Sequence, residues 1–152
     1  MAQHEIVYAA RATAYGDGRG GHVTSDDDVL DLDLAVPVEM GGTGGDLTNP
    51  EQMFAAGYAA CFHGALKRAG SQAKADLTGS TVTATVGLGR RGAGFGLSVA
   101  LRIAAPALSY EQAAELVALA HERCPYSNAT RGNIPVTVEV HRRRPAKRDQ
   151  DE

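Results

Sequence analysis

The side chains best suited to chemistry in this 152-residue chain are its two cysteines, Cys61 and Cys124. A thiolate attacks electrophiles, is oxidised or binds a metal, whereas a thiol buried among apolar groups stays inert. Three readings stand side by side. In the first, both are structural thiols, since free cysteine is among the most buried residue types. In the second they bind a metal together with nearby histidines. His121 and Cys124 are three apart near a helix end and can share a face. Cys61 and His63, two apart on a helix, point about 200° away from each other. A four-ligand site built from two cysteines and two histidines therefore fails on geometry. In the third the cysteines are a redox pair, one attacking and one resolving thiol.

Each cysteine sits on an element whose signals are local. Asn49 can cap a helix that has Pro50 at its first position. Read one residue earlier, Thr48 and Glu51 have the spacing of a capping box. From Met53 to Leu66 the wheel has almost no polar side, which marks a buried helix. Lys67-Arg68-Ala69-Gly70 supplies a cationic last turn and a glycine stop. Cys61 lies in about the fourth turn, too deep for the helix N-terminus to help it ionise. To act as a nucleophile it needs a cation, and a guanidinium is the cation that stays charged when desolvated. A second helix opens at Ser109 with Gln112 completing a capping box, and Ala113, Leu116, Val117 and Ala120 form its apolar stripe. It ends at Arg123-Cys124-Pro125, because the residue before proline is pushed out of helical geometry. Cys124 thus meets a helix C-terminus, whose dipole disfavours a thiolate, and this asymmetry suits a resolving role.

Strand-like alternation covers 4–15, 22–24, 29–38, 81–89, 95–104 and 135–141. The turn at 16–21 carries one long cation, Arg19, among four glycines, and by itself reads as a solvated hairpin tip. The acidic turn at 26–28 reads as solvated. The glycine-rich loop at 39–47 precedes the first helix, yet lacks any phosphate-binding fingerprint and reads as a close-packed connection. Residues 126–133 read as a polar loop. The order βββ-α-ββ-α-β, with antiparallel strands, gives an α+β class. Hydrophobic content of 43% and charged content of 22% suit one globular domain over 1–141, followed by a charged, frayed tail at 142–152. A net charge of −3 argues against nucleic-acid binding. The start of the chain lacks the features of a signal peptide and no span suits a membrane, so the expectation is a cytoplasmic protein.

Two long motifs carry a resemblance. Asn49-Pro50-Glu51-Gln52-Met53-Phe54-Ala55-Ala56-Gly57-Tyr58-Ala59-Ala60-Cys61-Phe62 and Cys124-Pro125-Tyr126-Ser127-Asn128-Ala129-Thr130-Arg131-Gly132-Asn133-Ile134 closely resemble the organic hydroperoxide resistance (Ohr) branch of the OsmC-like family. The likeness extends from the first strand to Val140. It implies antiparallel sheets around two central helices in an intertwined homodimer. It also implies a cofactor-free thiol peroxidase that reduces alkyl and fatty-acid hydroperoxides. By that resemblance Cys61 is the peroxidatic residue and Cys124 resolves its sulfenic acid to a disulfide, which a lipoylated protein or dihydrolipoamide reduces. Arg19 then stands over the thiolate, held by a bidentate pair with Glu51, which replaces the reading of a solvated tip. Glu51 and Cys61 are ten residues apart, about 15 Å along a straight helix. Arg19 spans part of that gap, or the helix breaks, or the partner subunit contributes. Met53 stands where leucine is common and the tail is long, and neither departure touches the chemistry. The alternative is a non-enzymatic redox-sensing or ligand-binding OsmC-like protein.

Overall fold

A computed structural model describes residues 4–142, which form two compact units divided after Met53. In the first unit β1 (Ala12–Tyr15), β2 (His22–Ser25) and β3 (Asp31–Asp33) make an antiparallel sheet in that order. The β1–β2 turn contains one turn of 3-10 helix, Gly18–Gly20, which presents Arg19. Both flanking strands are shorter than their alternation predicts. Before Ala12 the chain has no ladder partner among the described residues, and Ile6, Val7 and Tyr8 are 69%, 93% and 81% exposed. Alternation marks a chain fit to be a strand, but only a neighbour with free N–H and C=O groups makes it one. After Asp33, Leu34 bridges Thr48 in parallel, and Leu34 and Ala35 are buried.

The glycine-rich connection is close-packed, as its sequence predicts. A Cβ at Gly42 would stand 2.1 Å from the carbonyl oxygen of Val36, so no other residue fits there unshifted. The acidic turn is exposed, as expected, and is also tied in. Asp26 accepts a hydrogen bond from Arg11 Nε at 2.6 Å, and Asp27 accepts from the Ser25 hydroxyl at 2.6 Å.

Helix α1 runs unbroken over Pro50–Gln72. Asn49 caps it by accepting from the Gln52 N–H at 2.9 Å, while Thr48 donates to the Gln52 side chain instead of forming a box with Glu51. The glycine stop is overrun. A Cβ at Gly70 would lie 2.3 Å from Leu77 Cδ1, so this glycine is there for packing inside the helix. Only one stripe of α1 is buried, along Tyr58, Phe62, Leu66, Ala69 and Gly70, while Ala56, Ala60 and Gly64 are exposed. A helix apolar on every side therefore has one apolar side uncovered within this chain.

In the second unit β4 (Thr81–Arg91) and β5 (Gly94–Ala104) form the expected hairpin. Helix α2 (Tyr110–Arg123) follows, with both halves of the Ser109–Gln112 capping box made and Ala113, Leu116, Val117 and Ala120 all buried. The expected polar loop is in its first part a third helix, α3 (Pro125–Thr130). Strand β6 (Val136–Val140) then pairs with β5 in parallel, not antiparallel. The reason is topological. A hairpin reverses the chain, whereas a helical crossover returns it in its original direction. Tyr58, Phe62, Leu66, Leu101, Ile103, Leu116, Val117, Ala120 and Cys124 centre the core of this unit. No helix among the described residues is long and apolar enough to cross a membrane. Most of the expected frayed tail lies outside the described residues; its first member, Arg142, stacks its guanidinium 4.0 Å from the Tyr110 ring centroid.

Candidate active site

The four residues singled out in the sequence form two pairs. In the first unit the β1–β2 turn holds Arg19 against Glu51, in the first turn of α1. Arg19 Nη1 donates to both carboxylate oxygens, at 2.8 and 3.0 Å. This is not the parallel fork predicted. One nitrogen is shared by two oxygens, which leaves the Nε and Nη2 donors unused by Glu51. Glu51 is largely buried, with its side chain 15% exposed, while that of Arg19 is 44% exposed.

In the second unit Cys61 and Cys124 are both free thiols, and the Cys124 S–H donates to Cys61 Sγ at 3.5 Å. A disulfide needs about 2.05 Å, so about 1.5 Å of approach separates this arrangement from a bond. Cys61 is half-buried and opens onto a groove, whereas Cys124 is fully buried. Burial pushes the Cys61 thiol above its ordinary pKa, and the neighbouring Cys124 adds to the rise. A backbone hydrogen bond from the Tyr126 N–H opposes both.

That N–H was missed in the sequence. Cys124 is at once the C-cap of α2 and the N-cap of α3, so the dipole argument drawn from α2 alone does not hold. Pro125 has no N–H, which makes Tyr126 the first residue of α3 with an amide to give. The Cys-Pro-Tyr order was the available signal; what it needed was recognition that a new helix starts there.

Behind the sulfurs lies a buried polar network that the sequence did not reveal. Tyr58 OH meets Ser127 Oγ at 2.8 Å and Thr130 Oγ1 at 3.2 Å, and His121 Nδ1 meets the same serine at 2.9 Å. His63 is occupied elsewhere, at 2.9 Å from Ser80 Oγ. Desolvation pushes both histidines below their ordinary pKa, which favours neutral rings. Phe54, Tyr58 and Tyr126 stack with centroids 5.7–6.2 Å apart beside Gly57, where a Cβ would come within 3.0 Å of the Tyr126 hydroxyl. The glycine is what lets Tyr126 lie against α1.

With this geometry in place, comparison with known proteins is decisive. The family described as OsmC-like protein matches residues 42–139. An organic hydroperoxide resistance protein of Xanthomonas axonopodis pv. citri is 53% identical over 135 residues, covering 88% of this chain and 94% of the relative. The chain belongs to the OsmC-like family, in its organic hydroperoxide resistance branch. Solved structures agree with this placement. The crystal structure of an organic hydroperoxide resistance protein from Legionella pneumophila matches this OsmC-like chain with a TM-score of 0.86 and 47% identity. That match covers 91% of the chain and all of the other. A structure from Elizabethkingia anophelis, with crystallant-derived thiocyanate bound, matches with a TM-score of 0.87 and 45% identity. It covers 92% of this chain and all of its own.

Proposed function

We propose that this OsmC-like protein acts in organic hydroperoxide resistance as a thiol peroxidase. The observation that carries the reading is the 3.5 Å separation of a half-buried and a fully buried thiol. They lie in a chain whose relatives are named for organic hydroperoxide resistance. The Cys61 thiolate attacks the terminal peroxide oxygen and the O–O bond breaks. The alkoxide leaves, takes a proton and departs as the alcohol, while Cys61 becomes a sulfenic acid. Cys124 then attacks that sulfur, forming the S–S bond and releasing water. A dithiol of the dihydrolipoyl type restores both thiols by two exchanges, so two electrons pass from dithiol to peroxide without a cofactor. This cycle belongs in a reducing compartment, the cytoplasm.

The pKa of Cys61 makes a cation necessary. Burial holds the thiol protonated, and one backbone N–H opposes it. We assign that cation to Arg19, acting on Cys61 of the partner subunit in a homodimer. Three features support the assignment. The helix is unbroken between Glu51 and Cys61, so their ten-residue spacing keeps about 15 Å. The exposed stripe Ala56, Ala60 and Gly64 offers small residues for a close helix–helix contact. Residues 4–11 have no strand partner among the described residues, as a swapped segment would have none within its own chain. The Nε and Nη2 donors that Glu51 leaves unused are then aimed at thiolate and peroxide oxygens.

The deciding experiment is the intact mass after one equivalent of an organic hydroperoxide without reductant. Loss of two hydrogens, with both thiols gone, is the expected result. Oxygen added at one thiol with Cys124 still free would favour a one-thiol sensor over an enzyme.

A further inference from the structure

The buried hydroxyls behind the sulfurs join three helices, and their hydrogens have one consistent direction. Tyr58 stands three residues before Cys61 on α1, and Ser127, in α3, stands three residues after Cys124. At that spacing each shares a helical turn with its cysteine. The two hydroxyls meet at 2.8 Å and both side chains are fully buried, so this bond ties the turn of one sulfur to the turn of the other. Thr130 Oγ1 spends its single hydrogen on the backbone, at 3.0 Å from the Tyr126 carbonyl oxygen and 3.2 Å from that of Ser127. In its 3.2 Å contact with Tyr58 the threonine therefore accepts. That uses the Tyr58 hydrogen, so Ser127 donates to Tyr58, and His121 Nδ1–H donates to Ser127 at 2.9 Å. Running from His121 through Ser127 and Tyr58 to Thr130, the chain uses each hydrogen once and fixes the histidine tautomer.

We propose that Tyr58 and Ser127 are positioning residues for disulfide closure, holding the turns of Cys61 and Cys124 in the register that leaves their sulfurs 3.5 Å apart. Among the described residues no hydrogen bond joins either hydroxyl to a sulfur, so both act through the turns that carry them. Helix α3 has six residues, too few to hold itself in place. Its Ser127 and Thr130 bind it to α1, while His121 and the Arg131 Nη2 donation to the His121 carbonyl bind it to α2. Closure asks for about 1.5 Å of approach, a distance that loose packing of α3 on α1 easily exceeds. The same bonds keep α3 where the Tyr126 N–H meets Cys61. The proposal deepens the peroxidase reading and rests on its pairing of Cys61 with Cys124.

The test equilibrates the full chain with reduced and oxidised glutathione, without peroxide. The two thiols give up two electrons and two protons to form the disulfide, and one oxidised glutathione becomes two thiols. Tyr58→Phe removes the hydroxyl and keeps the ring. It is expected to lower the closure constant about fivefold, the scale of one hydrogen bond, and Ser127→Ala moves it the same way. The double variant falls short of the product of the two, because both substitutions break the same bond. Urea unfolding of the reduced proteins separates lost stability from lost register. Lower stability with an unchanged closure constant in Tyr58→Phe would overturn the proposal. After one equivalent of an organic hydroperoxide, dimedone is expected to trap more Cys61 sulfenic acid in Tyr58→Phe than in the native protein; equal trapping would count against the positioning role. Nitrogen chemical shifts of His121 are expected to place its hydrogen on Nδ1, and a hydrogen on Nε2 would break the chain of donors. A lowered closure constant in a protein that consumes no peroxide would uphold the positioning roles and sink the peroxidase reading alone.

Discussion

At the scale of single residues, the balance at Cys61 decides what the site can do. Burial and the adjacent Cys124 raise its pKa, and among the described residues only the Tyr126 N–H works the other way. Proximity of two thiols makes a disulfide accessible, but the first step needs a thiolate. Arg19→Ala is expected to shift the pH midpoint for alkylation of Cys61 upwards, as measured by iodoacetamide kinetics. The same change lowers the peroxide rate on the order of a hundredfold, the usual cost of removing one oriented donor at a developing charge. An unchanged midpoint and rate would exclude Arg19 from activation. On the proposed mechanism the two cysteines separate by role. Cys61→Ser is expected to abolish peroxide consumption, and Cys124→Ser is expected to consume one equivalent and stop as a sulfenic acid that dimedone traps.

At the scale of elements, the β1–β2 hairpin that carries Arg19 is braced at its base. His22 lies between Asp33, at 2.6 Å from Nδ1, and Asp31, at 2.5 Å from Nε2. The bond to Asp33, then that to Asp31, raises its pKa despite some desolvation. The sign follows directly. Above the unfolded histidine value of about 6.5 the unfolded chain loses its proton first. The stability that His22 contributes is therefore complete below that pH and lost as pH rises through the higher folded value. His63 and His121 have depressed values, so their terms change at lower pH and with the opposite sense. Urea midpoints recorded between pH 6 and 9 are expected to decline more steeply in the native protein than in His22→Asn. Parallel slopes would show that the clamp carries no protonation linkage. The start of α2 offers a plainer case, because Ser109 caps the Gln112 N–H. Ser109→Ala should cost about 1 kcal/mol in urea unfolding.

At the scale of the whole molecule, the described residues leave apolar surface uncovered. Ile6, Val7 and Tyr8 are exposed on a segment without a strand partner among the described residues, and α1 shows a bare small-residue face. Sedimentation velocity is expected to give a dimer, and removal of residues 4–10 should weaken it. Complementation tests the sharing of sites. Mixed dimers of Arg19→Ala chains with Cys61→Ser chains regain one intact site if Arg19 acts on the other subunit. They stay inactive if it acts on its own chain. Peroxidase activity of the purified mixed dimer well above that of either parent homodimer distinguishes the two.

What the sequence determined by itself was whatever depends on near neighbours along the chain. The Asn49 cap, the Ser109–Gln112 box, the stripe from Ala113 to Ala120 and the β4–β5 hairpin all follow from residues within a few positions of one another. Glu51, Cys61 and Cys124 were legible through two long motifs and Arg19 through the wider resemblance in the first hairpin turn, although no spacing along the chain could place one sulfur by the other. Tertiary structure alone decided the 3.5 Å between residues 63 apart, the parallel pairing of β6, and the use of Gly70 as packing under Leu77. It also turned an expected loop into α3 and so aimed the Tyr126 N–H at Cys61. The division has one physical cause. Caps, stripes and turns are satisfied by groups already close in the chain, whereas strand pairing, burial and pKa depend on which distant groups the fold brings alongside.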